Sequence, residues 1–121
     1  MNKYTYLSDF EINKKVAECL GVEWFVTSTI WDELVVIVDG ESFDPCNNPS
    51  DAMPIIIANK IAIFPMETLG CEYWCAACNF QDIGEKEIVW GLEANNKNPL
   101  RAAMELFLLM KDAENETDNK R

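Results

Sequence analysis

The sequence predicts an α+β fold, in which an antiparallel sheet of about four to five strands carries about three helices, mainly on one face. Three observations support this prediction. Apolar residues recur at helical spacing near both ends of the chain, aromatic and β-branched runs fill the middle, and the links between those runs are short. Links of hairpin length favour antiparallel neighbours.

The first helix is predicted to begin at Ser8. The sequence SDFE at 8–11 is a capping box, in which the hydroxyl of Ser8 accepts a hydrogen bond from the amide of Glu11. Apolar residues then recur on one face as far as Leu20. Gly21 suits the left-handed conformation that ends many helices.

Two strands are predicted to follow this helix. Residues 23–30 are rich in aromatic and β-branched side chains, and residues 34–38 are apolar throughout, which is typical of a strand buried on both faces. Residues 31–33 are expected to form the turn between them. The Asp-Gly pair at 39–40 predicts a second turn.

Two Asn-Pro pairs, at 48–49 and 98–99, predict the starts of two further helices, because Asn suits the N-cap and Pro the first helical position. The first of these helices is expected to run to about Asn59. A bend is expected at Pro54, which has no amide to donate. The second is expected to run to about Lys111.

Three more strands are predicted between these two helices. They are residues 61–64, closed by Pro65, residues 71–80 and residues 87–90, with a turn at 81–85. The strand order is not predicted, because patterns place elements far better than topology.

The length of 121 residues suits one domain, predicted over 1–111, followed by a polar tail at 112–121 that is expected to fray. No apolar run is long enough to span a membrane, and the N-terminus lacks the apolar core of a signal peptide. We therefore expect the protein in the cytoplasm. Its five cysteines, an odd number, are expected to be reduced thiols.

The net charge of −11 is concentrated in the middle of the chain. Residues 22–60 contain seven acidic side chains against Lys60, and residues 61–98 contain six against two lysines. Such a distribution disfavours binding to nucleic acids and anionic membranes. It favours a basic protein partner, although solubility alone would also explain it.

No catalytic residue is predicted. The chain has no histidine, which removes the commonest general base and the Ser–His and Cys–His nucleophile pairs. Acidic pairs are so numerous that chance proximity explains them. No cofactor is expected, and these observations disfavour an enzyme without excluding one.

A thiolate metal site is one alternative. Cys71, Cys75 and Cys78 have the C-x3-C-x2-C spacing of some iron–sulfur proteins, and Cys46 would complete a zinc site of four thiolates. Because the cluster is predicted to lie on a strand, Cys71 and Cys75 would point away from Cys78. Small buried apolar residues are the more economical interpretation of these cysteines.

A small-ligand site is the second alternative, located in the segment FDPCNNPSD at 43–51. Polar side chains concentrated beside a helix start could line a site for a nucleotide or a metabolite, in a binding protein or an enzyme. Helix capping explains some of these residues equally well. The candidate ligand-binding residues are Asp44, Cys46, Asn47, Asn48 and Asp51.

The leading hypothesis is a protein-interaction surface. Trp31 is the tryptophan most expected to be exposed, since it lies at a predicted turn beside Asp32 and Glu33. An exposed aromatic side chain flanked by carboxylates is a plausible hot spot for a basic partner.

Several stretches resemble a known family. Residues 7–21, 43–57 with 59–63, and 98–110 are similar, in order and spacing, to the NinX-like proteins of tailed phages and prophages of enteric bacteria. The resemblance implies a phage accessory protein of unknown function that acts in the host cytoplasm, and it offers no catalytic residues. By analogy with small acidic phage proteins, it suggests an inhibitor of a host nucleic-acid enzyme or defence system.

Overall fold

Three helices and eight short strands form the fold of this computed structural model, which describes residues 2–78, 81–82, 88–89 and 91–119. The helices are α1 (Asp9–Leu20), α2 (Pro49–Ala58) and α3 (Pro99–Asn119). All three were predicted. Helix α3 extends past its predicted end near Lys111, and the fraying expected of residues 112–121 stays a prediction.

The predicted helix caps are confirmed. The hydroxyl of Ser8 accepts from the amide of Glu11 at 3.1 Å, and the side-chain oxygen of Asn48 accepts from the amide of Ser50 at 3.0 Å. Each cap satisfies one of the first amides of its helix, which have no partner within the helix itself. Local sequence therefore decides where these helices begin.

The strands form two separate three-stranded antiparallel sheets and one two-stranded pair. The first sheet has the order β1 (Trp24–Ser28), β2 (Leu34–Val38), β3 (Glu41–Phe43). The second has the order β4 (Ala62–Thr68), β5 (Cys71–Cys78), β8 (Leu92–Asn96), and β6 (Gln81–Asp82) pairs with β7 (Ile88–Val89).

The single sheet of four to five strands predicted from the sequence is therefore wrong in its assembly, although the α+β class is confirmed. Helix α2 lies between β3 and β4 in the chain. Both of these strands are edges of their own sheets, so the ladder stops at β3 and a new one begins at β4. Two strands were not predicted: β3, which has only three residues, and β8, whose Asn and Glu residues are poor strand formers.

Strand β4 does not end at Pro65, as predicted, but continues to Thr68. Pro65 lies opposite Trp74 within the ladder. Because β4 is an edge strand, the missing amide of proline can face away from the sheet without loss of a hydrogen bond. The turn predicted at 81–85 is wrong at its start, because Gln81 and Asp82 form β6; residues 83–85 lie outside the described residues. Of the strand predicted at 87–90, Ile88 and Val89 form β7, whereas residue 87 and Trp90 lie outside the described residues.

Helix α3 is the centre of the core. It contacts β5 and β8 of the second sheet as well as α1 and α2, whereas the first sheet contacts α1 through β2. Ala76 of β5 lies directly opposite Ala94 of β8. Both belong to the same buried cluster as Ala102 and Ala103 of α3. The first sheet thus lies to one side of the main core. Of the described helices, none has both the length and the apolarity of a membrane span.

Candidate functional site

Residues 44–51, called here the junction segment, fold into a turn that leads into α2. The amides of Asn47 and Asn48 donate to the carbonyl of Asp44, at 3.1 and 2.8 Å. The amide of Asp44 in turn donates to the carboxylate of Asp51, at 2.9 Å. The segment is therefore stabilised by its own polar groups.

Side chains from α1 and α3 complete the hydrogen bonding of the junction segment. Buried Asn13 donates to the Asp44 carboxylate at 2.8 Å and accepts from the amide of Cys46 at 3.2 Å. From the start of α3, the side-chain Nδ2 of Asn98 donates to the carbonyl of Cys46 at 2.7 Å and to Asn47 Oδ1 at 3.2 Å. The segment thus joins three helices through side-chain hydrogen bonds.

Arg101 is the buried cation beside this junction. Its guanidinium donates to Asp9 Oδ1 at 2.7 Å and to Glu105 Oε2 at 2.8 Å, and also to the carbonyls of Tyr4 and Leu7 at 2.9 and 2.7 Å. Burial alone would lower the pKa of Arg101, but the hydrogen bonds to Asp9 and Glu105 and the charge of Glu105 outweigh it and raise the pKa. The guanidinium therefore holds the N-terminal residues against α3.

Arg101 and Glu105 were not predicted as functional or structural residues, although their spacing carries a signal in the sequence. They lie four residues apart on a helix that is otherwise apolar on that side, a spacing at which opposite charges meet. Glu105 is fully buried and also accepts from the side chain of Asn2 at 3.1 Å. A charged pair on an apolar helix face indicates a buried ion pair rather than a solvated one.

The candidate ligand-binding residues are partly brought together. Asp44, Asn47 and Asp51 lie within one network, and Cys46 is fully buried among its neighbours. Asn48 caps α2. Their polar groups bind other parts of the chain, which suits a structural junction. Among them, Asp51 also lines a cavity beside α2. A ligand at this segment stays a prediction.

The four cysteines proposed for a metal site lie in different places. Cys71 and Cys78 stand at opposite ends of β5, about 24 Å apart along an extended strand. Cys46 is buried in the junction segment, with its thiol 3.9 Å from the carbonyl oxygen of Asp9. In the described part of the chain, no three His, Cys, Asp or Glu side chains lie close enough together to hold a metal ion.

Thiol reactivity is expected to follow this arrangement. Burial, and next the charge of Asp9, raise the pKa of the Cys46 thiol, so little reactive thiolate forms, while Cys71 is exposed. We expect iodoacetamide at about pH 8 to alkylate Cys71 rapidly in the folded protein and Cys46 only after unfolding. Unfolding exposes the Cys46 thiol to water, where a thiol has its ordinary pKa of about 8.5. Mass spectrometry of peptides checks this, with urea-unfolded protein as the control. Equal rates at both cysteines in the folded protein would contradict the structure.

The β1–β2 hairpin ends in a tip formed by residues 29–33. Ile30 and Trp31 are 91% and 78% exposed, and the neighbouring Asp32 and Glu33 are exposed as well. The structure therefore places Trp31, Asp32 and Glu33 together on one exposed turn. Ile30 was not singled out from the sequence, where it looks like the end of a strand.

Hydrogen bonds to Thr29 hold the tip in shape. Its hydroxyl accepts from the amides of Trp31 and Glu33 at 3.2 and 3.3 Å, and its own amide donates to the carbonyl of Glu33 at 2.8 Å. Asp32 adopts a left-handed conformation with φ of 62°, which Asp tolerates better than most residues. Two large apolar side chains are thus presented to solvent on an ordered backbone.

Comparison with known proteins gives one family. The family described as Bacteriophage P22, NinX matches residues 3–111. No curated protein and no solved structure matches the chain. The matched residues include the junction segment, Arg101 and the hairpin tip.

Proposed function

We propose that this chain, which belongs to the Bacteriophage P22 NinX family, binds a basic protein of the host or the phage. Its membership of the family confirms the resemblance seen in its sequence and makes it a phage accessory protein. Binding would occur through the hairpin tip, in the cytoplasm of the infected cell. The observation that carries the proposal is the exposure of Ile30 and Trp31, side by side, on an ordered turn.

Large apolar side chains at a loop tip are costly to leave in water, and tryptophan is among the residues that contribute most to protein interfaces. The apolar surface also extends beyond the tip. Phe25 on β1 and Leu34 at the start of β2 are both more than half exposed. The hairpin therefore offers apolar anchors both at its tip and along its strands.

The ordered backbone of the hairpin tip favours binding through the side chains of Ile30 and Trp31. Because Thr29 already satisfies the amides of Trp31 and Glu33, a partner would lose little free energy in ordering the turn. Flexible loops, by contrast, lose conformational entropy when they bind.

The charge around the hairpin supports a basic partner. Residues 22–60 hold seven acidic side chains against Lys60, and they include the whole first sheet. Basic surfaces that neutralise such carboxylates are typical of proteins that bind nucleic acids. Inhibition of a nucleic-acid enzyme or a defence protein, by occupation of its basic surface, is the form of this function that the charge favours.

The test is capture of a partner from host lysate by immobilised protein, followed by affinity measurement with the purified partner. We expect the Trp31→Ala variant to weaken binding by about 2 kcal/mol or more, roughly 30-fold in Kd. Leu69→Ala is the matched control, because Leu69 is an almost fully exposed apolar residue in the β4–β5 turn of the other sheet. It is expected to leave Kd unchanged.

Two further measurements separate the parts of the proposal. Thr29→Val removes the hydroxyl that orders the tip while keeping the side-chain shape, and we expect a loss of about fivefold in affinity. Raising the salt concentration is expected to slow association, because surface charges are screened beyond about 8 Å at 0.15 M. A partner that binds Trp31→Ala as well as the unchanged protein would overturn the proposal.

A further inference from the structure

A cavity of about 410 Å³ lies between the end of the first sheet and α2. This volume falls in the range of small-molecule sites, roughly 300–1,000 Å³. Its walls come from both α1 and α2 as well as from β2 and β3. The larger apolar lining residues are Leu20, Val22, Val38, Phe43, Pro54 and Ile55.

The charged side chains around this cavity all carry the same sign. Asp39, Glu41 and Asp51 line it, and no Lys or Arg side chain does so among the described residues. The Asp51 carboxylate accepts from the amide of Asp44 through Oδ2. Asp39 and Glu41 are exposed and Asp51 is half-buried, and three carboxylates beside one apolar cavity create a negative potential that attracts cations and repels anions.

We propose that this cavity binds a small organic cation, a protonated amine carried on an apolar body. The apolar body would contact Phe43 and Ile55, and the ammonium would lie among the carboxylates of Asp39, Glu41 and Asp51. Nucleotides and other phosphate esters are excluded by the same charges. The site is thus one for a different class of ligand from the nucleotide considered for residues 43–51.

The cavity is separate from the hairpin tip. Leu34 begins β2 beside the tip, and Val38 ends the strand at the cavity, four residues or about 14 Å away. The cation and the protein partner would therefore contact different residues, and either function can fail in experiment without the other.

Three probes that share one phenylpropyl group test the proposal: 3-phenylpropylamine, 3-phenylpropanol and 4-phenylbutyrate. Titration calorimetry and NMR shift mapping at neutral pH are expected to show binding of the amine, tenfold weaker or absent binding of the alcohol, and no binding of the carboxylate. Shifts should centre on α2 and β3. Equal binding of the amine and the alcohol, or no binding of the amine, would overturn the proposal.

Variants locate the site. Glu41→Gln is expected to weaken the amine about threefold to fivefold, the effect of one partly exposed charge pair, while Glu67→Gln on β4 has no effect. Ala58→Leu adds bulk to the lining and is expected to abolish binding. A thermal unfolding measurement checks that this variant is folded. Amine binding that survives both Glu41→Gln and Ala58→Leu would contradict this location.

A lysine side chain carries the same ammonium on an alkyl stem, so Nα-acetyl-lysine methylamide is the second arm of the test. The proposal expects 3-phenylpropylamine to bind more tightly than this probe, because its ring fills more of the apolar cavity. Tighter binding of the lysine probe would assign the cavity to a side chain of a protein and overturn the small-molecule form of the proposal.

Discussion

Replacing Arg101 with methionine is expected to lower the free energy of unfolding by about 3–5 kcal/mol. The change leaves the fully buried carboxylate of Glu105 without its cation, and it removes the donors that bind Asp9 and the carbonyls of Tyr4 and Leu7. An unpaired buried charge is far more costly than an unpaired surface charge. Urea unfolding followed by tryptophan fluorescence measures the effect.

The double variant Arg101→Met, Glu105→Leu separates the two causes. Because it removes the buried charge together with its partner, we expect it to be more stable than Arg101→Met alone. Lys14→Met is the control, since Lys14 pairs with Glu11 on the surface at 3.5 Å and is expected to change stability by less than about 1 kcal/mol. A loss at Arg101 no larger than that at Lys14 would show that the buried pair does not stabilise the fold.

The Phe107→Ala variant is expected to lose about 3–5 kcal/mol, the usual cost of removing a buried aromatic side chain. Phe107 is 1% exposed, and it lies on α3 within the cluster of buried residues at the centre of the core. Removing its ring leaves a cavity that the surrounding helices and strands can fill only in part. Calorimetric or urea unfolding measures the loss.

Phe25→Ala is the matched control, because the same ring is removed from a side chain that is 59% exposed on β1. We expect it to lose less than about 1 kcal/mol. Similar losses at the two positions would contradict the assignment of α3 to the core and of the first sheet to its periphery.

The helices of this protein could be predicted from sequence because their signals are local. Ser8, Asn48 and Gly21 act within one helical turn of their own positions, so a short stretch of sequence contains the whole interaction. The exposure of Trp31 could be anticipated for the same reason, since it lies in a turn bounded by two clear strands.

The assembly of strands into sheets depends on contacts between distant parts of the chain, and the prediction of a single sheet was wrong. Whether β3 pairs with β4 depends on where α2 places the chain between them, which no short pattern of residues states. Strands β3 and β8 form because their neighbours, β2 and β5, offer them a ladder. Tertiary context of this kind routinely outweighs strand propensity.

The candidate site shows the same contrast between local and long-range interactions. The residue types alone show that residues 44–51 are polar, begin a helix and lie in an acidic part of the chain. The hydrogen bonds from Asn13 and Asn98 to that segment, and the place of Asp51 at a cavity, depend on the folded chain. These hydrogen bonds join residues 31 to 52 positions apart, so they exist only once α1, α2 and α3 have packed together.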